Sequence, residues 1–332
     1  MTLQSEKTRD FSLDNIRFFL IFTVVFAHLL EVCRAFSGSG YIYQFIYMFH
    51  MPVFIFLFGY NVRYSPNKVI FRWCIPYIVF QSLYLLFSLF VLDIKVNFQY
   101  TTPYWLLWYM LSCIFYQLLL PLYETTNKNR QILTLICAFI ISLVIGFDET
   151  IGYYMSLSRF FVFQPWFLLG FYCKKNGILE QLVKQKKITT FVMILSAVLI
   201  GLSALLLYYT DIENGLLYGA LPYIKCGGAL WMRVIVSIAS ICWILFLFVG
   251  VKPYLNKKLF LITTIGQNTL PIFLLHGFFV KTLPIYLPHL LHYPWAILPL
   301  TCLMLLVFGN KIFNKAIYYI SFSWLERFTK NF

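Results

Sequence analysis

The chain has 332 residues, of which 61% are hydrophobic and only 11% charged, with a formal net charge of +14 and a mean hydropathy of +0.78. Soluble domains carry about 25% charged residues, and no soluble fold of this length hides so much apolar side chain from water. The composition therefore excludes a soluble enzyme, a disordered chain and a secreted disulfide scaffold, and it predicts a polytopic membrane protein.

The apolar runs are about 20 residues long, enough to cross about 30 Å of hydrocarbon as helices. They lack the alternation over roughly 10 residues that marks barrel strands. Ten spans are expected, at 15–33, 41–62, 69–92, 103–123, 131–147, 160–173, 188–208, 230–250, 259–280 and 295–313. The fold class is thus all-α. A cytoplasmic tail, 1–14, precedes a ten-helix membrane domain, 15–313, and an aromatic interfacial tail, 314–332, follows it. The first run is too long for a signal-peptide core, and more spans follow it.

Even parity puts both termini on one side, and charge selects that side. With the N-terminus cytoplasmic, 20 of the 26 Lys and Arg lie inside, and the acids divide evenly. The outer basic residues are Arg34, Lys95, Arg159, Lys225, Arg233 and Lys281. This asymmetry is a topology signal and not a nucleic-acid patch. It also makes a cytoplasmic mouth attractive to an anionic cosubstrate. No internal repeat suggests the inverted halves of a transporter. The eight cysteines form no CxxC pair, and most read as small buried hydrophobes. Cys33 and Cys226 share the outer side, where a bridge is open to them. Metal-ligand spacings, phosphate loops and dinucleotide fingerprints are absent, so no metal is expected.

Ionisable groups inside spans are costly and usually functional. The first span carries Asp14, Arg17, His28 and Glu31. Eleven residues separate Arg17 from His28, which returns them to within about 20° on one helix face, about 16 Å apart along the axis. Asp14 lies three residues before Arg17 and Glu31 three after His28, so each is placed to pair with its neighbour. Arg17 also fits an interface anchor, and His28 a satisfied intrahelical polar residue. The shared face suits a long anionic ligand whose phosphates meet Arg17 and whose reactive end reaches His28. Acetyl-CoA has that shape.

Further along, His50 sits beside Pro52, which opens backbone groups. His276 follows Gly266-Gln267-Asn268-Thr269. Either histidine serves a ligand or a structural hydrogen bond. Arg72 heads the third span as a second candidate phosphate ligand or a plain anchor. Arg159 opens the sixth span on the sparsely charged outer side, where a ligand or a carboxylate is expected to meet it. Trp108 and Tyr109, after Trp105, offer a sugar platform or an interface belt.

These residues, taken together, resemble the membrane-bound acyltransferase 3 family of bacterial O-acyltransferases. The signature is Arg17, ten residues, then His28, with Asp14 before it. Tyr47 to Phe54 with Gly59-Tyr60 forms a second element, and Arg72 through Pro76-Tyr77 a third. Leu107-Trp108-Tyr109, Ser158-Arg159-Phe160 with Pro165 to Phe171, and Gly266 through His276 complete the set in order. The resemblance implies a ten-helix bundle in a bacterial plasma membrane. It implies O-acetylation of a cell-envelope polysaccharide or lipid-linked sugar hydroxyl, with cytoplasmic acetyl-CoA as cosubstrate. It makes His28 the catalytic histidine and Arg17 the acyl-donor residue. Some members carry an additional extracytoplasmic domain, so here either the bundle or a separate protein is expected to complete transfer. Glu31 is expected to orient His28, Arg17 and Arg72 to hold phosphates with Asp14 behind them, and Asn268 or Tyr109 to steady an oxyanion. An acetyl-His28 relay is the covalent variant. The competing class is a transporter or flippase of an anionic or lipid-linked sugar. Homo-oligomerisation stays open, because lipid-facing and partner-facing surfaces look alike in sequence.

Overall fold

In a computed structural model that describes residues 10–33, 38–210 and 212–327, the chain is helical, with no strand among those residues. Lys7, Arg9, Arg34 and Lys330 of the charge pattern lie outside them. The helices are α1 (Ser12–Val32), α2 (Ser39–Asn61), α3 (Pro66–Phe90), α4 (Trp105–Tyr123), α5 (Lys128–Phe147), α6 (Leu157–Lys175) and the short α7 (Ile178–Lys184). They continue as α8 (Lys186–Tyr209), α9 (Leu230–Tyr254), α10 (Phe260–Gln267), α11 (Thr269–Tyr286), α12 (Pro294–Phe308) and α13 (Lys311–Ile320).

Each of the ten expected segments coincides with helix. Among the described residues, eight helices are long and apolar enough to cross a membrane, and nine if the bent pair α12–α13 is one span. Three segments differ from the expected form. The sixth, α6, is a 19-residue helix with most of its surface buried among other helices, so it needs less apolar side chain than a lipid-facing span. The ninth is broken at Asn268, where φ −116° and ψ 43° interrupt the helix. The tenth bends by 64° after Phe308, where Asn310 caps α13 by accepting from the Ile312 and Phe313 amides. The expected end of that span at 313 therefore overruns the bend.

Interior polar groups explain the local geometry. Pro76 has no N–H for the Arg72 carbonyl, and the backbone responds with a π-helical turn, Ile70–Cys74, in which the Ile75 amide reaches back to Ile70. Pro52 in α2 likewise frees the Met48 carbonyl. The structure spends that carbonyl on packing and not on a cavity: Ser240 Oγ of α9 donates to it at 2.8 Å.

Helix α1 runs through the middle, against α2, α10, α11 and α12. Helices α2 and α6 pack backbone to backbone. A Cβ added at Gly170 would stand 2.1 Å from the Phe56 carbonyl oxygen, and one at Gly59 2.1 Å from that of Phe167. Close approach of this kind substitutes for the hydrophobic effect, which is weak between helices in lipid. The outer helices show the opposite face. Ile132, Ile136 and Ile140 on α5, and Ile194, Val198, Leu202 and Leu205 on α8, are exposed apolar rows, as lipid contact requires. Cys33 and Cys226 are both free and buried, so no bridge joins them.

The α2–α6 contact gives a direct test. Gly170→Ala is expected to cost about 3 kcal/mol or more, since its clash is with backbone. Gly201→Ala, whose Cβ meets nothing within 4 Å, should stay within about 0.5 kcal/mol of the parent. Thermal melting of the two purified variants in one detergent would show the difference.

Candidate functional site

The helices enclose a cavity of about 700 Å³, within the range of small-molecule sites. One end is basic: Arg17, Arg63, Lys68 and Arg72 line it, with Asn61 and Trp73. His28, His50 and Tyr109 line the wall. Glu31, Tyr43, Tyr153, Arg159 and Tyr218 also line it, and the place of Glu31 near the C-terminal end of α1, away from Arg17, marks the opposite end.

Asp14 builds the basic end without lining it. Its buried carboxylate accepts from Arg17 Nη1 at 2.8 Å and from Gln267 Nε2 at 3.0 Å. Next to it, Asn15 donates to the Leu255 and Lys257 carbonyls at 2.8 and 3.0 Å and accepts from Thr263 Oγ1 at 2.9 Å. Gly266 lies so close that a Cβ would stand 1.8 Å from the Asp14 carbonyl oxygen. These contacts seat the α10–α11 break on α1. They bring Thr269 and Leu270, the first residues of α11, into the cavity wall, where helix-start amides favour anions. Arg72 is held from the other end of the chain: its Nε donates to Glu326 Oε2 at 2.7 Å. Ser323 Oγ fastens the same segment to the Phe71 carbonyl at 2.9 Å.

His28 is the best-defined group in the wall. Its Nδ1 lies 3.5 Å from Glu31 Oε2 and 3.4 Å from the Tyr47 hydroxyl. A carboxylate at Nδ1 favours the tautomer with the proton there and leaves the lone pair on Nε2. No hydrogen bond engages Nε2 among the described residues. Trp105 meets the ring edge-on at 4.5 Å between centroids. His276 lies tilted at 5.3 Å on another side. A histidine with one nitrogen oriented by a carboxylate and the other open to a cavity is arranged as a general base or a nucleophile.

The remaining expected site residues divide. His50 lines the cavity while its Nδ1 donates to the Ile46 carbonyl at 2.8 Å. His276 is fully buried against His28, donates from Nδ1 to the Ile272 carbonyl at 2.8 Å, and has no partner at Nε2 among the described residues. Trp108, Tyr109 and Arg159 line the cavity. Asn268 does not: its side chain donates to the Thr264 carbonyl at 2.8 Å and serves the helix break. Of the two expected oxyanion donors, only Tyr109 lines the cavity. Sequence reading missed Arg63 and Lys68, which follow α2 in a charged turn that looked like a topology marker. It also missed Trp105 as a neighbour of His28.

A family model described as an acyltransferase domain matches residues 10–309, nearly the whole chain. No curated protein and no solved structure matches it.

Because Asn268 is a brace for the α10–α11 break, Asn268→Ala is expected to destabilise the fold by about 1–2 kcal/mol through one lost buried hydrogen bond. Thermal melting of the purified variant beside the parent in one detergent would show that loss.

Proposed function

The chain belongs to the acyltransferase 3 family and is a multi-pass membrane acyltransferase, and on that premise we propose that it moves an acetyl group from cytoplasmic acetyl-CoA to a hydroxyl of a cell-surface glycan or lipid-linked sugar, in a bacterial plasma membrane. One observation carries this reading. A single cavity has a cluster of cations at one end and, in its wall, an oriented histidine about 16 Å further along the same helix face.

The cations suit a nucleotide diphosphate with a third phosphate. Arg17 and Arg72 carry guanidinium forks for phosphate oxygens, and Arg63 and Lys68 form no ion pair among the described residues. Glu326 accepts from the Nε of Arg72, and among the described residues no hydrogen bond engages the two Nη groups, which are left for a ligand. The slender arm of acetyl-CoA then runs along α1 to place its thioester at His28. With the Nδ1 proton held by Glu31 and Tyr47, Nε2 takes the proton of the acceptor hydroxyl as its oxygen attacks the thioester carbonyl. The C–O bond forms, the C–S bond breaks, and the proton passes from Nε2 to the departing CoA sulfur. The family assignment sets the chain among acyltransferases, whereas the polar helix face alone also allowed a transporter.

Purified protein in lipid, given acetyl-CoA labelled in the acetyl group, is expected to release CoA. His28→Ala should lower that release by a factor of about 10² to 10⁴, the range for losing a general base. Arg17→Ala should raise the KM for acetyl-CoA more than it lowers kcat. Release by His28→Ala at the wild-type rate, with a wild-type melting curve, would refute the assignment.

A further inference from the structure

At the outer end of the cavity the charge arrangement changes. Arg159 is half-buried there, with its guanidinium over the Trp108 ring at 5.1 Å and the Tyr153 ring at 5.2 Å. Its Nε donates to the Tyr218 carbonyl at 3.1 Å. Among the described residues it forms no ion pair with a carboxylate. The other arginines of the cavity that sit beside acids are paired, Arg17 with Asp14 and Arg72 with Glu326. An uncompensated cation away from bulk water is costly and is kept where a ligand answers it. The two rings stand against the guanidinium, and the backbone carbonyl takes Nε. What remains is the Nη edge, the fork that grips a carboxylate or phosphate with two parallel hydrogen bonds. Tyr43 and Tyr218 join hydroxyls at 2.8 Å beside it.

We infer that this end is an anion subsite for the acceptor, so that the acetylated sugar itself carries a carboxylate or a phosphate. The inference rests on the acetyl-transfer reading. It assigns the two ends of the cavity to two different anions: the cosubstrate's phosphates at Arg17, and the acceptor's charge at Arg159. The acceptor's anion, fixed at Arg159, positions a nearby hydroxyl toward His28. The source of that anion is either an acidic sugar or the phosphate that links a sugar to its lipid carrier.

Membranes from the cells that carry the protein, incubated with acetyl-labelled acetyl-CoA, test this directly. The labelled product should be retained by an anion exchanger and released by salt. Mild acid, which cleaves sugar–phosphate–lipid links, separates the sources: charge lost after acid means the carrier phosphate, and charge kept means an acidic sugar. Arg159→Gln should lower transfer to the extracted acceptor by about tenfold or more, the worth of one charge-assisted fork, with CoA binding at the basic end retained. Arg159→Lys should recover part of it. Neutralising the acceptor's anion should cost the wild type a similar factor and cost Arg159→Gln nothing more, as expected for two changes to one contact. A product that passes the exchanger unretained overturns the inference even if a variant fails to fold. So do losses from the variant and from neutralisation that simply multiply. If the wild type yields no labelled product at all, the acetyl-CoA reading fails instead, and the two failures are told apart at that step.

Discussion

Much of the basic end hangs on one buried carboxylate. Asp14 accepts from Arg17 on its own helix and from Gln267 on α10, and so couples a cation to a chain break almost the whole length of the sequence away. A charge at that depth is tolerable only when its lone pairs are filled. Filling them forces α1 and α10 into contact at Gly266 and sets α11 off from the cavity wall. The cationic character of this end thus arises from a requirement of membrane burial. The same residues that satisfy Asp14 present a guanidinium and the start of a helix to the cavity.

The wall between the two ends is aromatic and histidine-rich. Trp105 and Tyr47 both meet His28, and Lys281 Nζ lies over the Trp105 ring at 4.3 Å. His50 and His276 each use Nδ1 on a carbonyl four residues back in their own helices. Of the three, only His28 has a carboxylate side chain at Nδ1 among the described residues. That difference sets its imidazole apart from two that brace helices, although all three sit close together in the bundle.

What the sequence reveals follows from range. The pairing of Arg17 with Asp14 and of Glu31 with His28 depends on helical spacing alone, and the structure shows both at the expected neighbours. The placement of Arg17 and His28 on one cavity wall follows from the same period. Arg63 and Lys68 were hidden because nothing local tells a topology-setting cation from one that turns toward a pocket. The grip of Glu326 on Arg72 spans 254 positions and has no local sign. Asn268 misled for a different reason. An Asn beside a Thr at a helix start reads as a polar group near chemistry, yet its amide is consumed by the break that makes the start. Helix α6 reads in the sequence only as a short run, 160–173, because packing against helices relaxes the apolar demand that lipid makes.

The hydroxyl of Ser240 stands in for an amide that Pro52 removed from α2. A hydrogen bond that ordinarily stays inside one helix is thereby exported to its neighbour. Ser240 Oγ stands at 2.8 Å from both the Met48 and the Val236 carbonyls, so its one proton is shared between the two helices and the contact ties α2 to α9. Any stroke that opens the cavity must then leave this pair in register. The π-turn of α3 is caught in the same way, by the bonds from Arg72 to Glu326 and from Ser323 to the Phe71 carbonyl, so it and the C-terminal segment move as one piece.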